Sequence, residues 1–162
     1  MLDYTISKVT KADEPFLWEM LYLSIFTPPG HEPLSKDILK EPSISKYVSN
    51  WGRSGDTGFI ARLESGKPIG SVMARLFSED NKSYGYIDAE TPEIGMALLP
   101  EYRGMAIGTE LLKAILDELR NQGFKMVSLS VDPDNPAIRL YRRFYFKEVG
   151  MVDTSVTMKL IL

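Results

Sequence analysis

Apolar and polar positions alternate over residues 4–9, as they do in a strand with one covered face. Beyond Thr10 the period lengthens: Phe16, Leu17, Met20, Leu21 and Ile25 recur at helical spacing until TPPGHEP breaks the run. A second, short helical region is expected between residues 35 and 50, interrupted by Pro42. Residues 57–64 and 68–77 are strand candidates, and Ser65, Gly66 and Lys67 between them suit an antiparallel hairpin. The polar stretch 79–91 reads as a loop or irregular connection.

Residues 93–99 spell EIGMALL, a nearly continuous apolar run that predicts a strand covered on both faces and ended by Pro100. After a glycine-containing turn, Leu111, Leu112, Ile115, Leu116 and Leu119 form one stripe with Lys113, Asp117, Glu118 and Arg120 outside it, which predicts a helix closing near Gly123. Residues 126–131 read as a further strand. Asn135 suits a helix N-cap with Pro136 at the first helical position, and that helix is expected to run to about Tyr145. Residues 147–152 and 155–162 finish the chain as a strand pair. Strands and helices alternate in the second half while hairpin-like strands fill the middle, so the expected fold is α/β of the mixed α+β kind, a sheet with helices on both faces. No linker divides the chain, and one domain over residues 1–162 is expected.

Composition changes this picture mainly by exclusion. With no cysteine there is no disulfide framework and no thiol nucleophile, and the lone His31 cannot build a multi-histidine metal site, so no metal is expected. A net charge of −3 lacks the basic footprint of a nucleic-acid binder. No apolar run is long enough to span a bilayer, and MLDYTISKVT lacks the form of a signal peptide, so no membrane partner and a cytoplasmic location are the expectations.

The turn Arg103-Gly104-Met105-Ala106-Ile107-Gly108-Thr109 lies between the buried strand and the amphipathic helix. Small residues let a diphosphate approach the backbone, and the unpaired N–H groups of a first helical turn favour its charge. The same glycines also suit a tight packing turn, and the turn alone does not choose between these readings. Two other phosphate motifs fail on spelling: Gly108 is followed by Thr109 and Glu110, not the Lys-Ser/Thr of a P-loop, and Gly104 and Gly108 lack the dinucleotide-binding spacing.

The stretch LLPEYRGMAIGTELL resembles the coenzyme A motif of the GNAT acetyltransferases, Arg/Gln-x-x-Gly-x-Gly/Ala, with Arg103, Ala106 and Gly108 at its three positions. Ala106 stands where glycine is usual. Downstream, VDPDNPAIRLYRRFYF is similar to the family's closing motif through Asn135, Ala137, Leu140, Tyr141 and Phe146, while Tyr145 replaces the glycine before the phenylalanine. The resemblance covers roughly residues 93–150, with both motifs in order. It implies a mostly antiparallel mixed sheet of about six to seven strands. It also implies acetyl-CoA as the acyl donor, held by Leu98, Arg103, Gly104, Met105, Ala106, Ile107, Gly108, Thr109, Asn135 and Tyr141.

The activity so implied is N-acetyl transfer to a primary amine of a small molecule or peptide. A protein that binds acyl-CoA without turning it over, as a sensor or interaction module, is the alternative. An alkylamine of pKa about 10 needs a base at neutral pH, and an acidic residue on this strand takes that part in the family. Glu93 stands at the comparable place, with Asp88 and Glu90 as substitutes; a strand-start carboxylate facing solvent or holding a loop is the competing reading. Tyr141 matches the family's general acid; the competing reading is an aromatic that packs its helix on the sheet, a part Leu140 and Phe144 beside it could fill. The oxyanion would meet a backbone N–H near Leu98, where the resemblance implies that the strand splays from its neighbour. Trp18, Tyr22, Phe26 and Trp51 either line an acceptor pocket or belong to the core. A homodimer is an assembly the family permits.

Overall fold

Residues 2–162 are described in a computed structural model. The first alternating segment is strand β1 (Tyr4–Lys8), followed by helix α1 (Glu14–Ser24) with a proline in its first turn. The helical region expected over residues 35–50 is two short pieces, a 3-10 turn Lys36–Lys40 capped by the Ser35 hydroxyl and helix α2 (Pro42–Ser45). Pro42 does not interrupt a helix here: with no N–H to bond backward, it starts one. Strands β2 (Thr57–Leu63) and β3 (Pro68–Arg75) form the predicted hairpin, turned at Gly66 with φ 91°. After the irregular residues 76–92 come β4 (Glu93–Leu98) and helix α3 (Ile107–Asn121), then β5 (Met126–Val131), helix α4 (Ile138–Arg143), β6 (Lys147–Val152) and β7 (Ser155–Ile161).

The seven strands make one sheet in the order β1-β2-β3-β4-β5-β7-β6, antiparallel at every junction except β4–β5. One face packs on α3, whose Ile107, Leu111, Leu112, Ile115 and Leu119 are wholly buried against Val72, Ile94, Val127 and Leu129. Each such side chain contributes about 1.5–3 kcal/mol by leaving water. The opposite face carries a smaller cluster in which Leu17 and Leu21 of α1 meet Val48, Trp51, Ile60 and Met73. Along β4 the two faces alternate: Ile94, Met96 and Leu98 join the α3 cluster, leaving Glu93, Gly95 and Ala97 on the α1 side. Among the described residues no helix is long and apolar enough to cross a membrane.

The β4–β5 junction positions the site. These parallel strands share a single registered pair, Glu93 with Ser128, secured by the Ser128 N–H to the Pro92 carbonyl at 3.0 Å. Beyond it they diverge. The Leu99 N–H donates to the Ile69 carbonyl at 2.9 Å, so by alternation the backbone groups of Met96 and Leu98 point away from β3, into the opening.

Helix α4 is shorter than the sequence suggests. Asn135 accepts the Ala137 N–H at 2.9 Å, but the first turn is closed by three-residue bonds, Ile138 to Asn135 and Arg139 to Pro136, and regular helix begins only at Ile138. It stops at Arg143 because Tyr145, at φ 71°, takes the left-handed capping position. There the Phe146 N–H bonds the Tyr141 carbonyl and the Tyr145 N–H bonds that of Arg142, the pattern glycine usually supports.

Candidate active site

A cavity of about 750 Å³ lies between the end of β4, the first turn of α3, α4 and the segment after α1. Leu98, Arg103, Gly104, Ala106, Gly108, Thr109, Asn135 and Tyr141 all line it. Two residues of the same turn do not: Met105 is half exposed, and Ile107 is a core side chain of α3.

The turn wraps tightly because Gly104 and Ala106 both take left-handed backbone, at φ 76° and φ 64°. Ala106 is the N-cap of α3, and the first bond to close on it is the Glu110 N–H to the Ala106 carbonyl at 3.3 Å. The N–H groups ahead of Glu110 therefore have no intrahelical acceptor and carry the positive end of a fifteen-residue helix dipole toward the cavity. Arg103 folds back so that its Nε donates to the Leu98 carbonyl at 3.3 Å. Diphosphate-sized anions are what such an end attracts.

Tyr141 sits on α4 at the opposite wall. Its ring packs edge-on against Phe146 at 5.8 Å, and burial pushes the phenol up to about 12. Among the described residues its hydroxyl makes no hydrogen bond, which leaves it free toward the cavity. It stays protonated at any neutral pH.

Glu93 is 5% exposed at the start of β4 and is not part of the cavity wall. It accepts hydrogen bonds from the Tyr47 hydroxyl at 2.8 Å, the Gly85 N–H at 2.9 Å and the Ser83 hydroxyl. Burial pushes its carboxyl above the usual range, and those hydrogen bonds work against that shift. Glu93 shares its sheet face with Ala97, which does line the cavity, and the position a Cβ would take on Gly95 between them is open space. The substitutes are occupied elsewhere: Asp88 accepts from the Glu90 N–H and the Thr91 hydroxyl, and Glu90 is exposed.

A model of the Acetyltransferase (GNAT) family matches residues 18–146. The chain belongs to that family. An N-alpha-acetyltransferase 30 of Schizosaccharomyces pombe is 32% identical over 117 residues, 70% of this chain and 72% of that protein. An uncharacterized N-acetyltransferase of Methanocaldococcus jannaschii is 28% identical over 151 residues, 92% of this chain and 63% of the relative, so the chain spans less than two thirds of that protein's length. Among solved structures, a ribosomal-protein-alanine N-acetyltransferase of Brucella melitensis superposes with a TM-score of 0.68 at 20% identity, covering 98% of this chain and 99% of the other. A GNAT acetyltransferase of Staphylococcus aureus does so with a TM-score of 0.71 at 18% identity, covering 99% of each. These superpositions agree with the seven-stranded mixed sheet and its helices.

In this GNAT chain the aromatic residues of the N-terminal half divide. Tyr22 and Phe26 line the cavity, whereas Trp18 and Trp51 pack in the cluster under α1. The wall on that side continues through Ile25, Thr27, Pro33 and Leu34, held by the Tyr22 hydroxyl donating to the Leu34 carbonyl at 2.6 Å. Ile25 ends the helical stripe of α1, and no periodicity marks the other three. His31 is exposed and outside the cavity, and Glu79 is spent on a surface ion pair with Lys82. Arg143 reaches the cavity wall, while Arg142 pairs with Glu148 at 2.6 Å. Sequence reasoning missed Tyr47 and Ser83, the two hydroxyls that hold Glu93.

Proposed function

We propose that this acetyltransferase moves an acetyl group from acetyl-CoA directly to a primary amine of a small molecule or peptide. The observation that carries the reading is that the open N–H groups of the α3 first turn, the diverging backbone of Met96 and Leu98, and the free hydroxyl of Tyr141 border one cavity. Its volume of about 750 Å³ suits a substrate with a long flexible arm. The α3 turn fits the diphosphate, the exposed strand backbone fits the amide-bearing pantetheine arm, and Asn135 lines the arm's path.

In this reading the amine nitrogen attacks the thioester carbonyl. An N–H of the opening, at Met96 or Leu98, receives the oxyanion. Glu93 takes the amine proton, directly or through water in the space over Gly95. Collapse breaks the carbon–sulfur bond, and Tyr141 meets the leaving thiolate. A phenol near 12 stands roughly 3.5 units above a thiol near 8.5, so complete transfer of its proton would cost about 5 kcal/mol. Tyr141 therefore acts first as a hydrogen-bond donor to sulfur, and the thiolate is protonated from solvent on release.

Three curated relatives carry the name N-alpha-acetyltransferase, which makes a polypeptide α-amine the first acceptor to offer. The test is acceptor-dependent thiol release from acetyl-CoA with peptides, polyamines and amino acids. The Tyr141→Phe protein should keep its affinity for the coenzyme and lose about 100-fold in kcat, the low end for a lost hydrogen-bond donor to developing charge. Unchanged kcat removes Tyr141 from the mechanism, and saturable coenzyme binding with no thiol release on any amine favours a non-catalytic acyl-CoA-binding module.

A further inference from the structure

The buried Glu93 carboxylate on the α1 face is held by three donors, one of which, Tyr47, comes from far along the chain. Burying a carboxylate is costly unless donors replace its water, and three do. Tyr47 is the informative one. Its oxygen also accepts the Tyr84 N–H at 2.9 Å. A phenol has one proton, and an N–H cannot receive it, so that proton is committed to Glu93 Oε2.

Tyr47 is itself fixed from behind. Arg75 of β3, 2% exposed, donates through Nη1 to the carbonyls of Lys46 and Ser49 at 2.8 and 2.7 Å, and through Nε and Nη2 to Asp56 at 2.9 and 2.8 Å. The guanidinium lies 5.1 Å from the Trp51 ring centroid. Buried arginine with four of its five N–H donors matched, and all three nitrogens bonded, is a rigid anchor for the segment that carries Tyr47. Arg75 is also the register partner of Glu93 across β3–β4, so anchor and carboxylate share one rigid sheet.

We propose that Tyr47 is a positioning residue for Glu93, holding the carboxylate oriented and charged as the base, and that Arg75 acts behind it by fixing the carbonyls on either side of Tyr47. This rests on the reading of Glu93 as the base. The charged and titratable groups set around the carboxylate are Lys46 beside Tyr47, Arg75 on β3, Tyr84 in the loop and Lys159 on β7, which is in register with Ser128. Asp56 neutralises Arg75, which leaves Lys46 as the cation that favours the charged form.

The experiment is the pH profile of kcat/KM for the full chain and for Tyr47→Phe, Tyr47→Gln and Glu93→Gln, read by thiol release with one acceptor. Removing the Tyr47 donor disfavours the carboxylate, so the acidic limb moves to higher pH. Tyr47→Phe should move that limb up by about one unit, so that well below it the variant loses about tenfold more activity than on the plateau. The acceptor's own ionisation is common to all variants and cancels. Tyr47→Gln keeps a donor and should return the limb toward the wild-type position; it also serves if the phenylalanine variant does not fold. A uniform loss at every pH, or an unmoved limb in both variants while Glu93→Gln is impaired, overturns the role of Tyr47 and leaves Glu93 standing. Wild-type kcat in Glu93→Gln overturns both.

Discussion

Ala106 and Tyr145 stand where the family pattern favours glycine, and both hold left-handed backbone, at φ 64° and φ 71°. A β-carbon in that region costs about 1–2 kcal/mol, partly offset because glycine loses more chain entropy on folding. Neither side chain repays the strain through the core: Tyr145 is 79% exposed and Ala106 is the cap residue of α3 on the cavity wall. Ala106→Gly and Tyr145→Gly should each raise stability by about 0.5–1 kcal/mol, seen as a higher urea midpoint at constant slope. The backbone shape each residue holds is the one glycine prefers, so coenzyme affinity should persist in Ala106→Gly. A fall in stability for either variant would mean that the side chain makes contacts worth more than the strain.

At the scale of elements, residues 76–92 link β3 to β4 and press on the carboxylate those strands present. A Cβ added to Gly85 would lie 2.8 Å from the Leu129 backbone carbon and 2.9 Å from Glu93 Cδ. Neither can yield as a flexible side-chain end would, so Gly85→Ala must lift the loop, withdrawing its own N–H and the Ser83 hydroxyl from Glu93. It should cost about 1–3 kcal/mol in chemical denaturation and lower kcat more than it raises KM. The elements themselves were largely legible in the sequence. The α3 stripe and strand β5 fall where the period and the punctuation by Pro100 and Gly123 put them, because each of their faces keeps one environment along its whole length. Cavity residues of the α3 turn were legible from motif and position, although Met105 turns out to solvent and Ile107 belongs to the core. Glu93 was legible as a residue and not as an environment: its donors Tyr47 and Ser83 sit in segments without period, and only folding brings them together. Tyr22 and Phe26 were ambiguous for a related reason, since helical spacing alone does not say whether an apolar side chain ends in the core or at a cavity wall.

Across the whole molecule, the sheet is held between β4 and β5 by a single registered pair and opens beyond it. A coenzyme seated in that opening would take up strand backbone that now lacks a neighbour, and would add stability by mass action. At one hundred times its Kd the gain is about 2.7 kcal/mol, which in a domain of this size raises Tm by roughly 5–10 °C. Hydrogen exchange should slow most at Met96 and Leu98, whose N–H groups face the opening, and less at Gly95 and Ala97, already bonded to β3, which gain only the global stabilisation. Thr109 separates this site from any other anion site. It lies in the first turn of α3 and lines the cavity, so an aspartate there faces two opposed effects. Negative charge near a helix N-terminus is favourable by about 0.3–1 kcal/mol, whereas the same charge repels a diphosphate arriving at those N–H groups. Thr109→Asp should therefore leave the Tm of the free protein equal or higher while abolishing its rise with coenzyme A. A retained rise would mean that the diphosphate binds away from the α3 turn, since no change in the protein's own stability could produce that result.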